Sequence, residues 1–76
     1  MKPEKLTYMA NQIAGFFATQ PLTEAEKAAK VAAHLDDFWE PRMRAQLHAH
    51  LARGGAGLTP LARAAAAKMT LPAPQG

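Results

Sequence analysis

Four interruptions decide what this chain can fold into. Gln20-Pro21, Glu40-Pro41, Gly54-Gly55 and Thr59-Pro60 divide its 76 residues into short stretches. The residue before a proline disfavours the α region, and glycine takes the left-handed conformation that closes a helix. Between the interruptions, strand signals are nearly missing: Ile13 and Val31 are the only β-branched aliphatic residues, and no run alternates polar with apolar. Helical spacing is present instead. The expected fold is all-α: a small bundle of three to four short helices over residues 1–69. A flexible, disordered tail is expected at 70–76, where two prolines and a glycine stand without a charge.

Each stretch carries its own start and stop signals. The first, about Pro3 to Ala18, opens on a proline suited to the first turn. It sets Leu6, Met9, Ile13, Phe16 and Phe17 on one stripe. The second opens with a capping box, Thr23 and Glu26, and Glu24 and Glu26 complement the positive end of the dipole. Glu26 and Lys30 have the spacing of an i,i+4 ion pair. Its expected inner face is Ala28, Val31, Ala32, Leu35 and Phe38. Pro41 opens a third helix with Met43, Leu47 and Leu51 on one side, and Gly54-Gly55 end it. The fourth starts at Thr59 and Pro60, with Leu58 stapling its start and Leu61, Ala65 and Met69 turned inward.

These faces build a thin interior. Of the 37 hydrophobic residues 18 are alanine, and alanine contributes little to a stabilisation that scales with buried area. There is no cysteine to staple so short a chain. Such a chain is expected to gain stability from a partner, and a cytoplasmic location is the simplest reading.

Several function classes are set aside. No stretch approaches the roughly 20 apolar residues that cross a bilayer, and Glu4, Asn11 and Gln12 interrupt the N-terminal apolar segment, which makes a poor signal peptide. Without cysteine or serine, and with no carboxylate pair arranged beside a nucleophile, the chain looks catalytically empty. His48 and His50 stand two residues apart and face opposite ways on a helix, so no metal site is expected. The glycines at 54, 55 and 57 lack the preceding strand and following Lys-Ser/Thr of a phosphate loop. The net charge of +3 is scattered along the chain, which gives no nucleic-acid footprint.

Two places stand out as candidate partner-binding surfaces. The first is the corner DDFWEPRMR, Asp36 to Arg44. Asp36 and Asp37 lie in the last turn of a helix and Arg42 and Arg44 in the first turn of the next, each where the helix dipole opposes its charge. On one reading these charges pair across the corner while Trp39 folds over the core. On the other, Trp39, Pro41, Arg42 and Arg44 face a second protein, since tryptophan and arginine are enriched at interface hot spots. The second place is the back of the first helix: Tyr8, Asn11, Gln12 and Gly15. Mid-helix glycine costs roughly 1 kcal/mol against alanine, so Gly15 is a candidate for close approach of another backbone.

Three stretches, KLTYMANQIAGFFATQ, HLDDFWEPRMRAQLHAHL and GGAGLTPLARAA, together resemble the delta subunit of NAD-dependent formate dehydrogenase, from about Pro3 to Ala67. Tyr8, Met9, Asn11, Gln12, Phe38, Trp39, Pro41, Arg42 and Met43 match the family's pattern; Asp36-Asp37 stand where it often has basic residues. The resemblance implies a non-catalytic accessory subunit of a cytoplasmic enzyme complex, holding no cofactor itself. Its alpha subunit, the direct partner, would carry a molybdenum or tungsten bis-pyranopterin guanine dinucleotide and iron–sulfur clusters. Beta and gamma subunits would pass electrons through FMN and further clusters to NAD. The role implied is to bind and stabilise the alpha subunit, or to act transiently in assembly or cofactor insertion. A small basic nucleic-acid-binding protein is the alternative from another class.

Overall fold

Proline and threonine start the helices where local chemistry places them. The structure, a computed structural model, describes residues 2–70, and over them the chain forms α1 (Pro3–Ala18), α2 (Glu24–Phe38), α3 (Pro41–Ala52) and α4 (Pro60–Lys68). Proline occupies the first turn of α1, α3 and α4, where its missing N–H leaves no bond unmade. Thr23 caps α2 through the full capping box: its hydroxyl accepts from the Glu26 N–H at 3.1 Å, and Glu26 Oε1 accepts from the Thr23 N–H at 3.0 Å. That backbone bond, then the Thr23 hydroxyl, holds the Glu26 carboxyl below its ordinary value, with a lesser pull from Lys30. The expected Glu26–Lys30 ion pair does not form. Glu26 is occupied by the cap, and Lys27 pairs with Glu24 at 3.2 Å instead.

The end of α3 shows why two glycines stand together. The Gly54 N–H donates to Leu51 O and the Gly55 N–H to His50 O, at 3.0 and 2.9 Å, which is the Schellman pattern. Gly54 and Gly55 have φ of +114° and +63°, a region that side chains with a Cβ avoid. Thr59 then caps α4 by accepting from the Ala62 N–H, and Leu58 is buried at its start, although the staple position one turn on is Arg63, not an apolar residue.

The four helices all touch one another, with α4 packed most extensively on α2. Seven of the fourteen buried apolar residues are alanines: Ala10 and Ala14 on α1, Ala28 and Ala32 on α2, and Ala62, Ala65 and Ala66 on α4. Leu6, Val31, Leu35, Leu47, Trp39 and Met69 fill the spaces between the helices. Small residues let helix axes approach closely, and that approach sets which arc of α1 faces inward. The buried arc runs through Leu6, Ala10 and Ala14 with Thr7 beside it, while Met9, Ile13 and Phe17 flank it half-buried.

Two sequence expectations are corrected by this geometry. Phe16, expected on the inner stripe of α1, is 65% exposed. Phe38, expected on the inner face of α2, is 73% exposed. Both lie at the edge of their apolar arcs, and the close alanine contacts turn those edges to solvent. Leu47 is buried between half-buried Met43 and Leu51 on α3, and Ala65 and Met69 are buried on α4 with Leu61 half-buried, as the spacing predicts. Thr70 is tied into the fold, and residues 71–76 of the expected tail lie outside the described residues.

Candidate functional site

The charges at the α2–α3 corner serve neighbouring elements. Arg44 opposes the dipole of its own helix, α3, but its guanidinium reaches back over the end of α2. There it donates to Trp39 O at 2.7 Å and to Asp36 O at 3.2 Å. Carbonyls at a helix C-terminus favour a cation, so a charge misplaced for α3 is well placed for α2. The same guanidinium donates through Nε to Thr70 O at 2.8 Å, and only 11% of the Arg44 side chain is exposed. Asp36 opposes the dipole of α2 yet meets the chain leaving α4. Its Oδ1 accepts from the Thr70 N–H at 2.7 Å and its Oδ2 from the Thr70 hydroxyl at 3.0 Å. Arg44 and Asp36 also approach to 3.9 Å as an ion pair.

Trp39 is the C-cap of α2, its N–H donating to Leu35 O at 2.9 Å, and its side chain is 6% exposed within the core. Of the two readings of the corner, cross-corner pairing with Trp39 over the core describes Trp39, Asp36 and Arg44. Pro41 and Arg42 do face solvent, as do Asp37 and Glu40. Among the described residues the ion pairs are Glu24–Lys27 and Asp36–Arg44, so Arg42 stands outside both.

The α3–α4 corner repeats the device. Arg63, in the first turns of α4, donates to Gly54 O at 2.7 Å and Gly55 O at 3.2 Å, back over the end of α3. The Gly54 and Gly55 N–H groups are bonded to α3, so neither donor is offered to an anion, and their carbonyls accept from Arg63. His50, half-buried, makes a 2.8 Å hydrogen bond between Nε2 and Ala56 O, while His48 is exposed. No three His, Asp or Glu side chains gather at one point among the described residues.

The four residues proposed for the back of α1 separate into two groups. Asn11 is a tie between elements: its Nδ2 donates to Gly57 O at 2.9 Å and its Oδ1 accepts from the Thr59 N–H at 3.0 Å, so one side chain joins α1 to the α3–α4 loop. Tyr8, Gln12 and Gly15 remain on the surface. A Cβ built on Gly15 meets nothing within 4 Å, so no part of this chain makes the close approach the glycine permits. Gln12 Nε2 donates to the Tyr8 hydroxyl at 2.9 Å. One helical turn further on, Phe16 stands edge-on to half-buried Phe17, with ring centroids 5.1 Å apart and planes at 89°.

Sequence reasoning missed Phe16 and Phe38 as surface residues. The signal that would have found them is the pair of alanines at i and i+4, Ala10 with Ala14 on α1 and Ala28 with Ala32 on α2, buried on the inner side of each helix. Phe38 lies against His34 with centroids 4.6 Å apart. Beside Tyr8 an open hollow of about 480 Å³ lies between α1 and the α3–α4 loop, lined by Pro3, Glu4, Thr7, Tyr8, Asn11, His50, Ala56 and Gly57. The Thr7 hydroxyl in that region is buried with no hydrogen-bond partner. A smaller groove of about 290 Å³ follows the other side of α1, between Asn11, Gly15 and Ala18 and the start of α4 at Thr59–Leu61.

Among the described residues this surface presents exposed aromatics, amides and lysines. None of the helices formed by the described residues is long and apolar enough to cross a membrane. The model of one family, described as NADH-dependent formate dehydrogenase delta subunit FdsD, matches residues 5–66. No curated protein matches the chain.

Proposed function

Because the chain belongs to the family of formate dehydrogenase delta subunits, we propose that it is a non-catalytic subunit that binds and stabilises the large alpha subunit of that complex. One observation carries the reading. Three of the five aromatic side chains, Tyr8, Phe16 and Phe38, are 62–73% exposed, while half of the buried apolar positions hold alanine. A chain with so thin a core leaves three large aromatic side chains outside only at a cost in solubility and burial, unless a partner covers them.

The redox groups of the complex belong, in this reading, to the other subunits. Iron–sulfur clusters need thiolate ligands, and the sequence has no cysteine. The described residues likewise offer no cluster of His, Asp or Glu to a metal. A molybdenum or tungsten bis-pyranopterin guanine dinucleotide would reside in the alpha subunit, and FMN and further clusters in the beta and gamma subunits. The location is the cytoplasm.

The test is affinity purification of the chain, tagged at its C-terminus, from its native host grown on formate. Eluates are assayed for formate-dependent NAD reduction and for molybdenum and tungsten. Near-stoichiometric alpha, beta and gamma subunits with activity are expected. A metal-poor, inactive alpha subunit alone would make the chain a transient assembly factor. Capture of no formate dehydrogenase subunit at all would reject the proposal.

A further inference from the structure

The outer face of α1 has the organisation of a docking helix. Lys5, Tyr8, Gln12 and Phe16 follow at spacings of three, four and four, which sets them on one line down the helix. At 1.5 Å per residue this line is about 16 Å long. All four residues are exposed. Anchors at this spacing are the means by which an amphipathic helix enters a partner's groove.

Two features separate the line from incidental exposure. Both aromatic rings are held by neighbours on the same helix: Gln12 donates to the Tyr8 hydroxyl, and Phe16 rests edge-on against Phe17, itself packed on the core. Side chains already ordered lose less entropy when a partner immobilises them. The charge is also polarised along the line. Lys5 and the preceding Lys2 stand at its N-terminal end, outside the ion pairs of the described residues. The one acid of α1, Glu4, lies one turn before Tyr8 and lines the hollow beside it, and it too stands outside those ion pairs. From Lys5 to Ala18 the helix carries no negative charge.

We propose that α1 seats in an apolar groove of another subunit of the formate dehydrogenase complex, with Tyr8 and Phe16 as its anchors and Lys5 set against carboxylates at one end of that groove. The hollow beside Tyr8 accepts a partner side chain in return. This rests on the reading of the chain as a delta subunit and adds to it the face used, its direction and the chemistry of the surface it meets.

The experiment compares C-terminally tagged wild type with Tyr8→Ala/Phe16→Ala and with Lys5→Glu, all captured from the formate-grown host. The double variant is expected to retain its helical circular dichroism and to lose at least about ten-fold of the captured subunits, as two anchor aromatics imply. Lys5→Glu is expected to weaken capture more at low salt than at high salt. A photo-reactive phenylalanine in place of Gln12 is expected to cross-link to a formate dehydrogenase subunit, and one in place of exposed Ala64 on α4 is not. If wild type captures the subunits and the double variant captures them equally, the docking face lies elsewhere and the inference fails while the delta-subunit reading stands. A cross-link from position 12 only to a second copy of this chain also overturns the inference. Failure of wild type to capture any subunit removes the delta-subunit reading itself.

Discussion

The inside of this protein is built from its smallest apolar side chains and the outside carries several of its largest. At the seam between α1, α2 and α4, seven alanines let the helices close on one another. On the outer sides of α1 and α2, Tyr8, Phe16 and Phe38 stand in solvent. Alanine holds helices together through close fit and contributes little area; exposed aromatics supply area and nothing to cover it. The difference teaches that packing and hydrophobic content are separable, and that in a short chain the surplus of the second points outward.

The comparison breaks first at Trp39, the one aromatic fully inside. Trp39→Ala should cost about 3–5 kcal/mol, read from chemical denaturation, which threatens the whole stability of a small domain. A loss under about 1 kcal/mol would move Trp39 out of the core. Arg44→Met should cost about 1.5–3 kcal/mol, because three carbonyls lose a charged donor; an unchanged denaturation midpoint would contradict the clamp. Ala65→Leu, at a position with no exposure, should cost about 1–3 kcal/mol through overpacking of the seam. A stabilised variant would mean that the alanine interface has room to spare.

Smaller effects sharpen the contrast. Thr23→Ala removes the cap of α2 and should cost about 1 kcal/mol. It should also alter the acid limb of the stability profile. Because the folded state depresses the Glu26 carboxyl below its ordinary value of about 4.5, that contribution is present above the unfolded pKa and fades as pH falls through the folded one. Thr23→Ala removes the hydroxyl's share of that shift and leaves the larger share from the Thr23 backbone N–H, so the loss of stability as pH falls should be only slightly shallower; a slope as shallow as that of Glu26→Gln would show that the hydroxyl sets the whole shift. Phe16→Ser, on the outside, should change the stability of the isolated chain by no more than about 0.5 kcal/mol. A larger loss would make Phe16 part of the packing after all.

Element boundaries were legible in the sequence because local covalent geometry decides them. Pro3, Thr23 with Glu26, Pro41, Gly54-Gly55 and Thr59-Pro60 each act within a few residues, and each stands where its signal indicates. The facing of the helices was less legible. A helical wheel weights Phe16 and Phe38 by size, whereas the buried arc is fixed by how near the neighbouring helices come, and alanine governs that distance. Long-range ties were not legible at all. Asn11 reaches Gly57 and Thr59 across 46 and 48 positions, and Asp36 reaches Thr70 across 34. Nothing in the spacing of those residues distinguishes a tie within the chain from a contact with a partner. In the structure Asn11 and Arg44 hold the scaffold, while Tyr8, Gln12, Gly15, Pro41 and Arg42 are exposed.

The arginines that reach backward also order the chain in time. Arg44 completes the end of α2, Arg63 completes the end of α3, and Thr70 must arrive before Asp36 finds its donors. The ends of α2 and α3 are thus finished by residues made later in the chain. Folding proceeds in the order of synthesis where domains close early; here the last described residue closes the corner that Asp36 began.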